Sequence, residues 1–180
     1  MTWHKLTTGP HTGKTLPEVM LQDPNYVLDG LKAGEFDGAM LAEATEVCRC
    51  AARIRVPRAD DQEQEVLVAY YLLLNRSFGG FTIVAKSDPR LADFKRFSAA
   101  QSQGFDLTMP RRIAPGDERA TKVMVEAVLF HYFGNPHAQL TAEECIAFFE
   151  DEGNFLKPTA PRSANPQAPT RTGPVVSSLL

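Results

Sequence analysis

The spacing of the apolar residues changes twice along this chain, and that change limits the folds it can adopt. From about Asp37 to Arg53 the apolar side chains recur every three or four residues, which is the period of a helix. Two runs rich in β-forming residues follow, Val66 to Leu74 and Phe81 to Lys86, and helical spacing returns from Gly116 to Phe133. Helices before and after a block of strands are typical of the α+β class.

Local signals predict where the N-terminal helices begin. Thr15 with Glu18 three residues later is a capping box, and Asp23 followed by Pro24 is a second helix start. In chain order we therefore expect a short strand near Trp3 to Thr7, a turn at Gly9 to Gly13, and helices over Leu16 to Leu21, Pro24 to Gly34 and about Asp37 to Arg53.

A small antiparallel sheet of about three or four strands is expected in the middle of the chain. Arg53 to Val56, Val66 to Leu74 and Phe81 to Lys86 are predicted to form a meander, and Phe105 to Met109 is a candidate fourth strand. The nine apolar residues of Val66 to Leu74 have no clear period, so a buried helix is the alternative for that run.

The C-terminal part is predicted to hold two helices and a tail. The first helix covers Gly116 to Phe133, and the second follows the capping box of Thr141 and Glu144 and ends at Gly153. Residues 157–180 contain five of the thirteen prolines, three basic residues and no acid, and such a segment cannot bury enough apolar surface to fold. We expect one globular α+β domain over residues 1–156 and a disordered Pro-rich tail over 157–180.

Composition favours a cytoplasmic protein that does not contact a membrane. Residues 1–14 hold no apolar run of signal-peptide length, and the run from Val66 to Leu74 is about half of a bilayer span. The three cysteines are an odd number, and Cys48 and Cys50 are too close in sequence to bridge comfortably, which fits a reducing compartment. We expect both to pack on a helix, with Cys48 on its buried side.

The charge is distributed unevenly around a net value of −3. Residues 15–65 carry eleven acids against five bases, whereas residues 86–122 carry eight bases against five acids. This basic excess is too small for a dedicated DNA-binding domain, so a nucleic-acid contact is expected to be local and strongly weakened by salt.

The stretch from Thr8 to Thr15, TGPHTGKT, is similar in composition to a phosphate-binding loop but differs in spacing. Such a loop places four residues between its first glycine and the Gly-Lys pair, whereas three residues separate Gly9 from Gly13. Pro10 also removes one of the amides that would face a phosphate. The spacing therefore argues against nucleotide hydrolysis.

This stretch and the helix after it resemble a small module at the C-terminus of some DnaQ-like 3′–5′ exonucleases, which also occurs in stand-alone proteins of unknown function. The resemblance covers residues 3–33, and two positions differ from the family pattern, since Pro10 replaces a lysine and Asp29 replaces a tryptophan. It implies an association with nucleic-acid metabolism and no catalytic activity, because the exonuclease carboxylates belong to another domain. The matching positions are Gly9, Gly13, Lys14, Thr15, Leu16, Asp23, Pro24 and Tyr26.

The glycine turn of this module is a candidate anion site. Lys14 would supply a point charge beside the amides of the turn, with His11 and Lys5 nearby. In the alternative interpretation, Gly9 and Gly13 only provide positive φ angles in a hairpin and Lys14 is solvated.

Two pairs of basic residues form a second candidate site, for nucleic acid. Arg111 and Arg112 follow the candidate strand, where adjacent arginines can bind phosphate in a bidentate manner, and Lys95 and Arg96 are expected to join them. Aromatic residues interleave this stretch, as base-stacking residues would: Phe94, Phe97 and Phe105. The alternatives are core positions for the phenylalanines and, for the arginines, surface ion pairs with Asp106, Asp117 or Glu118.

The sequence assembles no recognised catalytic set, cofactor motif or metal site. Cys145 lies among apolar residues, where a thiol is expected to be inert, and His131 and His137 lack a recognised ligand spacing. We therefore expect a non-catalytic binding or adaptor protein, associated with nucleic acid, that has no cofactor. The alternatives are a regulatory subunit that docks on a protein through its acidic N-terminal helices or its Pro-rich tail, and an enzyme with a dispersed site.

Overall fold

A computed structural model of the protein describes residues 2–57 and 65–157. Over these residues helices surround a small sheet, which confirms the α+β class and the order of helices, sheet and helices. The predicted tail covers residues 157–180, and all of it except Lys157 lies outside the described residues. The elements are α1 (Leu16–Met20), α2 (Pro24–Ala33), α3 (Gly38–Ala51), β1 (Val66–Leu72), β2 (Phe78–Ala85), α4 (Leu91–Phe97), β3 (Ala100–Ser102), α5 (Met109–Ile113), α6 (Glu118–Phe133) and α7 (Ala142–Glu150), with a 3-10 turn at Glu152–Asn154.

The sheet has the order β2-β1-β3, with both pairs antiparallel. The apolar run from Val66 is therefore a strand and not a helix, and it lies in the centre of the sheet. The register shifts between Tyr71 and Leu72, which pair with Gly80 and Phe78, so Gly79 is an extra residue that bulges β2 near its turn from β1. Residues Leu67 to Tyr70 of β1 are all buried, and because successive side chains project to opposite faces, both faces of this strand are covered.

Two of the predicted strands are wrong. Ile54 forms single bridges to Phe105 and Phe155 and does not join the sheet, and Ala100–Ser102 pairs with β1 instead. The predicted strand from Phe105 to Met109 is reduced to the bridge at Phe105, and helix α5 begins at Met109. Its proline in the first turn, Pro110, lacks the amide that a strand would use but suits a helix start.

The predicted helix starts agree with the structure. In α1 the Thr15 amide and hydroxyl both donate to Glu18 Oε2, at 2.7 and 2.9 Å, and Thr141 with Glu144 forms the capping box of α7. Asp23 accepts a hydrogen bond from the Tyr26 amide at the start of α2. These signals act between residues three apart, so they do not depend on the rest of the fold.

The core is one cluster of buried side chains drawn from residues as distant as Leu6 and Phe155. Tyr70 brings its hydroxyl into this core, where it bonds Ser102 Oγ (2.8 Å), donates to the Gly104 carbonyl and accepts from the Asp106 amide. Gly104 lies so close to the backbone of Ile54 that a Cβ at this position would be 2.2 Å from the Ile54 carbonyl oxygen.

Cys50, and not Cys48, lies on the buried side of α3. Cys50 is 4% exposed and belongs to the core, whereas Cys48 is half-buried. The buried stripe of α3 includes Val47 and Ala51, and Cys50 falls between them at helical spacing. Among the helices of the described ranges, none combines the length and the apolar character that crossing a bilayer requires.

Candidate functional site

Most backbone amides of the glycine turn donate hydrogen bonds within the protein. Leu6 and Gly13–Lys14 exchange two backbone hydrogen bonds of 2.8 Å, the amide of Thr12 donates to the Gly9 carbonyl and that of Lys14 to the His11 carbonyl. Both Gly9 and Gly13 have positive φ, 84° and 87°. The amides from Thr12 to Thr15 are thus bonded within the protein, which supports the interpretation of this segment as a hairpin turn.

The glycine turn contacts the first residues of α2. His11 Nε2 lies 3.0 Å from Asp23 Oδ2, and its ring meets the Tyr26 ring edge-on at 4.8 Å. A Cβ on Gly9 would be 2.9 Å from the Tyr26 hydroxyl oxygen. Gly9, Asp23 and Tyr26 therefore have a structural role, because they hold the turn against the start of α2.

The two lysines of the candidate anion site have different neighbours. Lys14 Nζ donates to the Gln22 side chain, and Lys5 is exposed beside its backbone bridge to Thr15. With His11 held by Asp23, an anion at this turn would have to displace existing bonds or rely on Lys5 and Lys14 as screened surface charges. Anion binding at this turn stays a prediction.

Arg111 and Arg112 lie on α5, not at the end of a strand. Arg111 forms a two-point ion pair with Asp29 of α2, at 2.6 and 2.5 Å, and Arg112 lies 3.7 Å from the buried carboxylate of Asp106. This ion pair joins α2 to α5. Arg111 also lines a cleft of about 570 Å³ whose other charged residues are acidic: Asp23, Asp29, Glu35, Asp117 and Glu118.

Lys95 and Arg96 lie in the last turn of α4, which packs against β1. Neither side chain has a carboxylate partner among the described residues, and the Arg96 guanidinium carbon lies 5.4 Å from the centre of the Phe97 ring. Phe97 is 69% exposed, whereas Phe105 is fully buried. Lys95 and Arg96 are therefore placed by the contact of α4 with β1, whereas Arg111 and Arg112 are placed by the contact of α5 with α6.

A cavity that sequence analysis did not anticipate lies between the β1–β2 turn and the start of α6. We call it the hairpin groove; its volume is about 850 Å³. Its walls are the turn residues that follow β1, the loop between α5 and α6, and the first turns of α6. The lining residues are Leu73, Asn75, Arg76, Ser77, Phe78, Ile113, Ala114, Pro115, Gly116, Asp117, Arg119, Ala120 and Val123.

Asp117 fixes the geometry of the hairpin groove. Its Oδ1 accepts from the Arg119 amide at 3.1 Å and caps α6, while its Oδ2 accepts from the Phe78 amide at 2.9 Å and holds the first residue of β2. The carboxylate is therefore occupied by two backbone amides. Arg76 and Arg119, which line the same groove, are exposed and form no ion pair with any described residue.

The groove also presents apolar side chains to solvent. Leu73 and Val123 are 55% and 41% exposed, and the neighbouring Leu74 is fully exposed. Arg76 adopts φ 66°, a left-handed conformation that is about 1 kcal/mol less favourable for a side-chain-bearing residue than for glycine. The one sequence signal for this site was the apolar run itself, which continues to Leu74 although β1 ends at Leu72.

The thiols are suited to packing rather than to nucleophilic attack. Burial raises the pKa of Cys145 to about 12 and that of Cys48 to about 11, and burial, together with the nearby Glu46 carboxylate, raises the pKa of Cys50. A thiol with such a pKa holds almost no thiolate near neutrality. Within the described ranges, no three His, Cys, Asp or Glu side chains are grouped as a metal site.

Comparison with protein-family models, with curated proteins and with solved structures gave no match to this chain.

Proposed function

We propose that this protein is a non-catalytic binding or adaptor protein of the cytoplasm, and that it holds a polypeptide partner in the hairpin groove. The observation that carries the proposal is the combination of exposed apolar side chains with two arginines that have no carboxylate partner in the described chain. Apolar surface beside arginines that lack a carboxylate partner fits a ligand that supplies apolar anchors and a carboxylate. The partner we propose is therefore a segment with apolar side chains and an acidic side chain or a C-terminal carboxylate.

The shape of the groove supports this choice. It is formed by a strand turn held to a helix start through Asp117, so its two walls are already positioned before a partner arrives. Preorganised walls reduce the loss of conformational entropy on binding. Arg76 lies in the turn that these walls share, where its amide donates to the Leu73 carbonyl at 2.9 Å, so its backbone position at the rim is fixed.

The test is a binding screen against an array of short peptides that vary independently in apolar content and in charge. We expect peptides with both apolar residues and carboxylates to bind. The double variant Arg76→Ala/Arg119→Ala should raise the Kd of these peptides by at least about tenfold, as the loss of a charge-assisted hydrogen bond does. Val123→Glu should abolish binding, because it places a carboxylate in the apolar wall.

Leu41→Glu is the matched control, since Leu41 is exposed to the same degree as Val123 (42%) but lies on α3. The proposal is contradicted if no peptide binds more tightly than about 1 mM, or if Val123→Glu and Leu41→Glu weaken binding equally.

A contact between α4 and single-stranded nucleic acid is the second candidate function. Phe97 is exposed, Arg96 lies over its ring and Lys95 is next to it in sequence. Proteins bind single-stranded nucleic acid through such combinations of an aromatic ring for base stacking and basic side chains for the phosphates. The resemblance of residues 3–33 to exonuclease tails points the same way. Titration of labelled DNA and RNA oligonucleotides at two salt concentrations tests it: Phe97→Ala should weaken a salt-sensitive interaction, whereas Phe133→Ala, another exposed phenylalanine, should not.

A further inference from the structure

The outer edge of β2 carries backbone groups that nothing in the described chain uses. Lys86 N donates to the Glu65 carbonyl at 2.8 Å, so this is a hydrogen-bonded pair of the β1–β2 ladder. Bonded and non-bonded pairs alternate along an antiparallel ladder, and the register pairs Phe81 with Tyr70 and Ile83 with Val68. The amides and carbonyls of Phe81 and Ile83 therefore point away from β1, toward the open side of the sheet.

Beyond the register shift at Gly79, the edge from Phe81 to Ala85 lacks the features that usually prevent strands from pairing with other chains. From Phe78 to Ala85 there is no charged residue and no proline. Of the outward groups near the start of the strand, the Phe78 amide is bonded to Asp117. Beyond it, no described residue bonds to the edge at Phe81 or Ile83.

The strand that carries this edge is held firmly in place. Val84 is 3% exposed, and the Phe81 ring meets the buried Phe105 ring edge-on at 5.8 Å. Helix α6 packs on β2. The edge is therefore a fixed template of hydrogen-bonding groups and does not have to be ordered on binding.

We infer that the edge of β2 pairs with β2 of a second copy of this chain. With a two-fold axis beside Thr82, Phe81 of each copy lies opposite Ile83 of the other, and the free amides and carbonyls of both residues form four hydrogen bonds. The two Thr82 side chains then face each other in a non-hydrogen-bonded pair, an arrangement in which threonines interact favourably. The result is one six-stranded antiparallel sheet.

Two properties make a second copy the occupant rather than an unrelated strand. The strand has no charge, so two copies do not repel each other, and its outward groups match themselves under two-fold rotation. An axis perpendicular to the sheet also places α6 of both copies on the same face of the joined sheet.

Sedimentation velocity of the full chain over about 1 to 300 µM tests the inference, because the population of a dimer depends on concentration. We expect a shift from monomer to dimer as concentration rises. Thr82→Lys should remove it by placing two ammonium groups across the axis, whereas Thr82→Val should keep it. Thr8→Lys is the control, since it adds the same charge at an exposed position of the N-terminal turn.

Amide hydrogen exchange of the wild-type chain gives a readout that does not depend on a variant folding. The amides of Phe81 and Ile83 should exchange slowly at high concentration and much faster on dilution, while the Thr82 amide, which faces β1, should not respond. A chain that remains monomeric over the whole range overturns the inference, and so does a dimer that persists in Thr82→Lys or leaves the Phe81 and Ile83 amides unprotected.

Discussion

Removing the Asp117 carboxylate should lower the stability of the fold, because two hydrogen bonds are lost at once. Asp117→Ala deletes the N-cap of α6, which is worth about 1 kcal/mol, and leaves the half-buried Phe78 amide without its acceptor, which costs about another 1 kcal/mol. We expect the free energy of unfolding to fall by about 2 kcal/mol, equivalent to a decrease in Tm of about 4 to 8 °C for a domain of this size.

Urea denaturation followed by circular dichroism measures this loss, and Asp37→Ala is the matched control. Asp37 is also an N-cap aspartate, of α3, but its side chain makes no capping hydrogen bond, so its replacement should change stability by less than about 0.5 kcal/mol. Asp117→Asn keeps one acceptor oxygen and should lose about half as much as Asp117→Ala. If Asp117→Ala and Asp37→Ala were equally stable, the carboxylate would not join β2 to α6 as the structure indicates.

Three further predictions concern the core. Gly104→Ala should lower the free energy of unfolding by about 3 kcal/mol, because its Cβ would meet the Ile54 carbonyl, whereas Gly116→Ala, with open space around it, should be nearly neutral in the same urea titration. Burial raises the pKa of Asp106 above its ordinary value of 3.8, so the stability that this group contributes is present at acid pH and is lost as the pH rises through its folded-state pKa. Asp106→Asn should therefore gain stability relative to wild type between about pH 3 and pH 7, and a constant difference across that range would contradict the assignment. Iodoacetamide at about pH 8 should modify Cys48 before Cys50 and Cys145, because Cys48 is the thiol with partial exposure; mass spectrometry of the native protein checks the order, and Cys48→Ser should remove the first adduct.

The candidate sites were predictable to different degrees. The hairpin conformation of the glycine turn could be predicted because the turn lies within one short stretch of chain, whereas the positions of the basic pairs could not. Arg111 was expected at a strand end and instead binds Asp29 on α2, a partner more than eighty residues away in sequence. The hairpin groove was missed because its walls come from residues near 75 and near 117, which no sequence pattern connects.

The sequence by itself determined where helices α1, α2 and α7 begin. The capping boxes at Thr15 and Thr141 and the Asp23-Pro24 start depend on atoms three residues apart, so the local chain is sufficient to set them. Only the tertiary structure decided which extended segments pair. Ile54 satisfies its backbone with Phe105 and Phe155, and β1 takes Ala100–Ser102 as its third strand. Such bonds join groups far apart in sequence, and which partners meet depends on how the whole core packs, a property that is not encoded in any single stretch of residues.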